Sequence, residues 1–258
     1  MKNNFTIPTA IIVAAAIIGG AVIFTRNPVN KINPTNTDTA KKEANLNISI
    51  RPVSSDDHIL GSPDAKIKLV EFSDTECSYC KRFHETMNKI IEEYGKDGKV
   101  AWVYRHLPLD SIHPKARKEA EATECAAELG GNAKFWDYTN ALYATTTSNN
   151  SLDPKKLPVL ADEAGLNLVQ FEECLSSGRN AAKVEEDAQE AKVNGGNGTP
   201  FTIIIDKDGN QIPFSGAYPY TETDIRFFNS LSPDEQKIFC SPSKECGVKI
   251  MIENFLAK

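Results

Sequence analysis

This chain has no excess of positive charge. Its 258 residues carry 29 Lys and Arg against 35 Asp and Glu, a net charge of −6. Six basic and two acidic residues fall within residues 1–52, which puts that stretch at +4 and the remainder at −10. An acidic body argues against nucleic acid as a partner. The chain also has no second C-x-x-C. Beside Cys77-Ser78-Tyr79-Cys80, the cysteines Cys125, Cys174, Cys240 and Cys246 stand apart. A structural zinc site usually takes two close pairs, so the spacing disfavours a zinc framework. No internal repeat is present. No small-x-small cleavage motif follows the apolar run Ile7 to Phe24; the next residues are Thr25-Arg26-Asn27-Pro28. That run just reaches bilayer length, and without a cleavage site it reads as an uncleaved signal anchor in preference to a removed signal peptide.

Forty per cent hydrophobic residues suffice for a full core, and an even number of cysteines fits an oxidising compartment. The chain is organised around residues 70–83. Ile67, Leu69, Val70 and Phe72 read as a strand. Cys80, Phe83, His84, Met87, Ile90, Ile91 and Tyr94 recur at three- and four-residue steps, which predicts one buried helix face. Cys77 then falls at the first turn of the helix, where unpaired N–H groups and the dipole favour a thiolate. Cys80 lies one turn further in, on the covered side. A strand, C-x-x-C and helix in this order is a redox signature. The competing reading is a metal site made by Cys77, Cys80 and His84.

Residues 27–55 are expected to form a flexible tether, rich in Asn, Thr, Lys and Pro up to about Arg51. Gly61-Ser62-Pro63-Asp64 marks a turn before the first strand. Val100 to Leu107 reads as a second strand. Helical patterns then fill the stretch from His113 to about Val193. They include separate helices around Ala116–Ala127 and Phe135–Tyr143, and a third beginning at Asp153-Pro154. Phe201–Ile205 and Gln211–Ser215 are expected to pair across the turn Asp206 to Asn210. Helical pieces follow and end in Val248 to Leu256.

The motifs together resemble the DsbA family of thiol–disulfide oxidoreductases, in its membrane-tethered thioredoxin_4 branch. They are Glu71-Phe72-Ser73-Asp74 before Cys77, His113-Pro114 opening the helical stretch, Gly198-Thr199-Pro200, and Gly216-Ala217. The resemblance spans about residues 56–220 and the last helix. It implies a thioredoxin-like α/β fold over residues 56–258, with a helical insertion at about 111–194; the apolar run makes residues 1–26 a signal anchor or signal peptide. The resemblance implies a cis Thr199–Pro200 bond beside the active cysteines. It also implies catalytic roles for Cys77, Cys80, Pro200 and Glu71, the last as a buried acid beneath the disulfide. Thr199, Ser78 and Tyr79 are the residues expected to touch substrate. The best-known family members have Pro-His between the cysteines, and Ser78-Tyr79 lacks that histidine. The resemblance allows a structural disulfide between Cys125 and Cys174, worth about 4 kcal/mol by loop entropy. Cys240 and Cys246 are close enough in sequence to bridge a short loop, and the alternative for either pair is two free thiols.

The expected activity is thiol–disulfide exchange outside the cytoplasm, on cysteine-containing secreted or envelope proteins. A membrane partner of DsbB or VKOR type would reoxidise the pair, with no prosthetic group and no metal. A disulfide isomerase or reductase is the runner-up. A non-catalytic thioredoxin-fold domain or metal carrier is a third reading.

Overall fold

A computed structural model describes residues 48–257. The expected anchor over residues 1–26 and most of the tether lie outside the described residues. The remainder is built on a five-stranded sheet in the order β1-β3-β2-β4-β5. The strands are β1 (His58–Gly61), β2 (Ile67–Ser73), β3 (Val100–His106), β4 (Phe201–Ile205) and β5 (Gln211–Ser215). β2 runs parallel to β3 and antiparallel to β4, and the two outer pairs are antiparallel.

The two central strands, β2 and β3, are buried almost throughout because both faces of the sheet are covered. Alternation sends Ile67 and Leu69 into one core and Val70 and Phe72 into another. The first core is closed by α1 (Ser78–Ile90), which continues as a π-helical turn over Ile91–Gly95, and by α8 (Val248–Leu256). Across the sheet, α5 (Ala181–Val193) contributes Ala188 and Ala191. The helices α2 (Ala116–Thr145), α3 (Lys156–Glu163) and α4 (Leu168–Ser177) build a third core of their own from Tyr138, Leu142, Leu157, Leu160 and Phe171. Disulfide Cys125–Cys174 lies within it. The short helices α6 (Ile225–Ser230) and α7 (Pro233–Phe239) precede Cys240–Cys246, which is also bridged.

Three expectations need correction. Residues 48–55 are not tether. Ile50 is buried, and its N–H donates to Gln211 Oε1 at 3.0 Å. Arg51 reaches Asp187 at 2.6 Å and Glu190 at 2.6 Å. The Asn- and Thr-rich composition of residues 27–47 concealed this segment, because two anchoring residues, Ile50 and Arg51, decide its placement. β1 is an edge strand that the sequence reading took for the approach to a turn; at four residues it is too short to show alternation. The two helices expected around Ala116–Ala127 and Phe135–Tyr143 are both present within α2 and meet at a kink at Gly131, whose φ of 73° glycine adopts readily. The third helix begins at Lys156, with Asp153-Pro154 in the turn before it.

Candidate active site

Cys77 is the N-cap of α1, with φ −79° and ψ 121°, and no side chain caps the helix there. Its own N–H is turned back to the Asp74 carbonyl at 3.1 Å. The free amides of the first turn therefore face its sulfur. Cys77 and Cys80 are both free thiols. Cys77 keeps 6 % of its surface exposed and Cys80 none. Hydrogen bonding to the Cys77 sulfur, first from the Cys80 thiol and then from the Cys80 and Tyr79 amides, outweighs burial and brings its pKa down to about 6. The Cys80 thiol is pushed well up, by burial and by the charge of Cys77. One sulfur is thus a poised thiolate and the other a held thiol.

The cis Thr199–Pro200 bond begins β4. Proline loses no required ladder donor there. The Thr199 carbonyl lies 3.5 Å from the Cys77 sulfur and accepts from it when Cys77 is protonated. Ser78 and Tyr79 lie between the cysteines on the surface. Tyr79 is 56 % exposed, with the Arg82 guanidinium 5.0 Å from the centre of its ring. Glu71 sits on the α1-facing side of β2, among Ile67 and Leu69, where the strand pattern calls for an apolar residue. It is buried. Desolvation raises its pKa to about 7, against hydrogen bonds from Ser73 and Trp102, and the Cys77 charge adds to the rise. Trp102 Nε1 donates to Glu71 Oε2 at 2.9 Å. Ser73 and the Tyr143 hydroxyl are 3.0 Å apart, which joins α2 to the acid beneath the sulfurs.

The histidines take positions that composition leaves open. His84 is buried with Nε2 2.6 Å from Asn140 Oδ1, and its ring packs near Trp102 and Tyr143. It does not join the sulfurs. Among the described residues, no three His, Cys, Asp or Glu side chains are grouped to hold a metal ion. His58 and His106 both bond Glu124 at 2.8 Å. His113 meets Asp74 at 3.0 Å. Asp74 also accepts from the Glu76 and Leu109 amides, and so shapes the turn that presents Cys77. Sequence reasoning placed Asp74 and His113 in motifs but gave them no role. It missed Glu76, Glu119, Trp102 and Tyr143; a charged residue directly before the first cysteine was the one available signal.

A central β2 flanked by β3 and β4, with a two-cysteine helix start opposite a cis proline, defines a thioredoxin-like fold carrying a DsbA-like helical insertion. The chain belongs to the Thioredoxin_4 family, whose model, described as thioredoxin, matches residues 54–213. Among solved structures, it is similar to DsbA2 of Pseudomonas aeruginosa, with TM-score 0.55 and 24% identity over 67% of this chain and 92% of that one. It is also similar to oxidised BdbD of Bacillus subtilis, with TM-score 0.55 and 24% identity over 64% and 88%. These likenesses establish the fold. Among curated proteins, a protein named Na(+)/H(+) antiporter NhaA 3 of Salinispora tropica is 35% identical over 59% of this chain, but only 22% of its own length. NhaA 1 of Mycolicibacterium gilvum is 32% identical over 65% of this chain and 26% of its own length. The chain thus spans about a quarter or less of these relatives. Among the described residues, no helix is long and apolar enough to cross a membrane.

Proposed function

We propose that this protein is a thiol–disulfide oxidoreductase that works outside the cytoplasm, held at the membrane by its N-terminal apolar run. The observation that carries the reading is the split between the two sulfurs: Cys77 lowered to about 6 at a helix start, Cys80 raised and covered. In the oxidised form, a substrate thiolate attacks the Cys77 sulfur. The Cys77–Cys80 bond breaks, and Cys80 leaves with the electron pair. Glu71, holding a proton near neutral pH, supplies it to the departing Cys80 sulfur. The second substrate thiolate then attacks its partner sulfur in the mixed disulfide and releases Cys77 as a thiolate. The substrate loses two electrons and two protons, and the enzyme pair is reduced. A quinone-linked membrane protein of DsbB or VKOR type would take those electrons by the same exchange. Thr199, Ser78 and Tyr79 line the approach of the substrate strand, and Pro200 backs the sulfur.

A lowered Cys77 pKa stabilises the reduced pair as its thiolate, which makes the Cys77–Cys80 disulfide the more oxidising. Equilibration of the full-length protein with glutathione buffers tests this directly. The expected potential is that of a pair more oxidising than a C-x-x-C with ordinary thiol pKa values, and alkylation of the reduced form should strike Cys77 first, with its rate half-maximal near pH 6. Preferential labelling of Cys80, or failure to oxidise a reduced two-cysteine protein, would reject the reading.

A further inference from the structure

Glu76 directly precedes the attacking cysteine and is fully buried. It faces the connection between α2 and α3. Its carbonyl accepts from the Asn149 amide at 2.7 Å, and its carboxylate Oε2 accepts from the Asn150 amide. On the other side of the cysteine pair, Lys81 Nζ donates to the Thr146 carbonyl at 2.5 Å. The connection is therefore tied to the active-site turn at residues 76 and 81, on both sides of Cys77 and Cys80. Lys115 Nζ adds a bond to the Asn150 carbonyl at 2.6 Å.

Between these ties the backbone takes an uncommon course. Ser148, Asn149 and Asn150 have φ values of 69°, 54° and 64°, three successive left-handed residues without a glycine. Such a run persists only where surrounding contacts hold it, and strained segments of this kind gather at functional sites. It leaves the Thr147 and Asn149 side chains exposed, beside exposed Ile112, whose carbonyl receives Asn150 Nδ2 at 2.8 Å. Glu76 Oε1 has no donor in a buried setting. The neighbouring carboxyl of Glu119, itself buried and held by the Thr75 hydroxyl at 2.7 Å, provides one when protonated. Burial, followed by the hydrogen bond with Glu76, raises the Glu119 pKa to about 8.

We propose that Glu76 is a positioning residue that clamps Thr146–Asn150 of the helical insertion beside Cys77, so that a protein substrate reaching the sulfur must pass Thr147 and Asn149. The insertion would then select for a polypeptide carrying its cysteine on an extended strand over a small thiol, which approaches the sulfur without meeting the loop. This rests on the oxidoreductase reading above.

The test compares the full-length parent with Glu76→Ala and Glu76→Gln. Glu76→Ala should raise KM for a reduced two-cysteine peptide about tenfold, leave kcat and the rate with glutathione unchanged, and speed amide exchange at Asn149 and Asn150. Glu76→Gln should restore all three, because its amide can accept from Asn150 and donate to Glu119. Lys81→Met, which cuts the tie at the other side, should raise KM in the same direction and covers the case in which Glu76→Ala fails to fold. Faster loop exchange with unchanged KM would overturn the proposal, as would an equal loss with glutathione, since Glu76 would then act on the sulfur itself. A parent that exchanges with glutathione but not with any peptide would remove the proposed function and this role together; normal peptide oxidation in both variants removes this role alone.

Discussion

Two pairs of cysteines in this molecule are almost equally buried and chemically opposite. Cys125 and Cys174 are each 1 % exposed and joined by a disulfide. Cys77 is 6 % exposed and Cys80 fully covered, yet both are free. Depth therefore does not separate an inert pair from a poised one; the surrounding dipoles do. Cys125 lies inside α2, whose amides are spent on its own helical bonds, and among the apolar side chains of the insertion core. Cys77 stands at a helix start with unspent amides. Beneath it, Glu71 occupies a core position facing Cys80 and the ring of Trp102. The insertion uses sulfur as a brace, and the sheet domain uses it as a reagent.

The sharpest way to break this contrast is Cys77→Ser. Exchange with a protein dithiol should fall by roughly a thousandfold or more, while thermal unfolding stays close to the parent. Retained exchange would mean another sulfur attacks. Next in size is the brace. Replacing Cys125 and Cys174 by alanine should cost about 4 kcal/mol in urea unfolding, for a loop spanning 49 residues, with the Cys77–Cys80 potential unmoved. A shifted potential would show that the insertion tunes the reactive pair.

A smaller effect sharpens the role of the buried acid. Glu71 titrates near 7 in the folded protein and near its usual 4.5 when unfolded. As pH rises, the unfolded chain releases this proton first. Stability is therefore full below about 4.5, declines through the window up to 7, and levels off above it. Glu71→Gln abolishes that decline, so the variant should match the parent near pH 4 and exceed it at pH 8 by at most about 3 kcal/mol. It should also slow release of Cys80 from the disulfide. A stability difference independent of pH would assign Glu71 an ordinary packing role. The smallest expected change belongs to Cys240–Cys246, which joins the end of α7 to the start of α8. Its loop of 6 residues gives only about 2 kcal/mol on the same loop-entropy basis. A loss as large as that of the insertion pair would mean that α8 detaches when the bridge opens.

Much of this was legible along the chain. β2, β4 and β5 follow from apolar runs and an Asp-Gly turn, and α1 from a three–four repeat, because each is a local pattern whose period a core enforces. His58, His106 and His113 have no partner legible in the sequence. Each acquires a carboxylate from an element far along the chain: Glu124 for the first two and Asp74 for the third. β1 and residues 48–55 were misread for a related reason. Neither carries a periodic signal, and both owe their placement to partners distant in sequence, such as Arg51 with Asp187 and Glu190.

By itself the sequence determined the order of elements, the helical insertion and which cysteine stands at a helix start, since these depend on neighbours within a few turns. Only the tertiary structure decided what that cysteine meets. Thr199, 122 residues away, brings its carbonyl to the Cys77 sulfur, and Trp102 holds the acid below. The chain from Glu119 to Asn150 returns across the turn to grip Glu76. Acidity and access at a sulfur are set by charges and donors within a few ångströms, and chain folding alone brings such groups together.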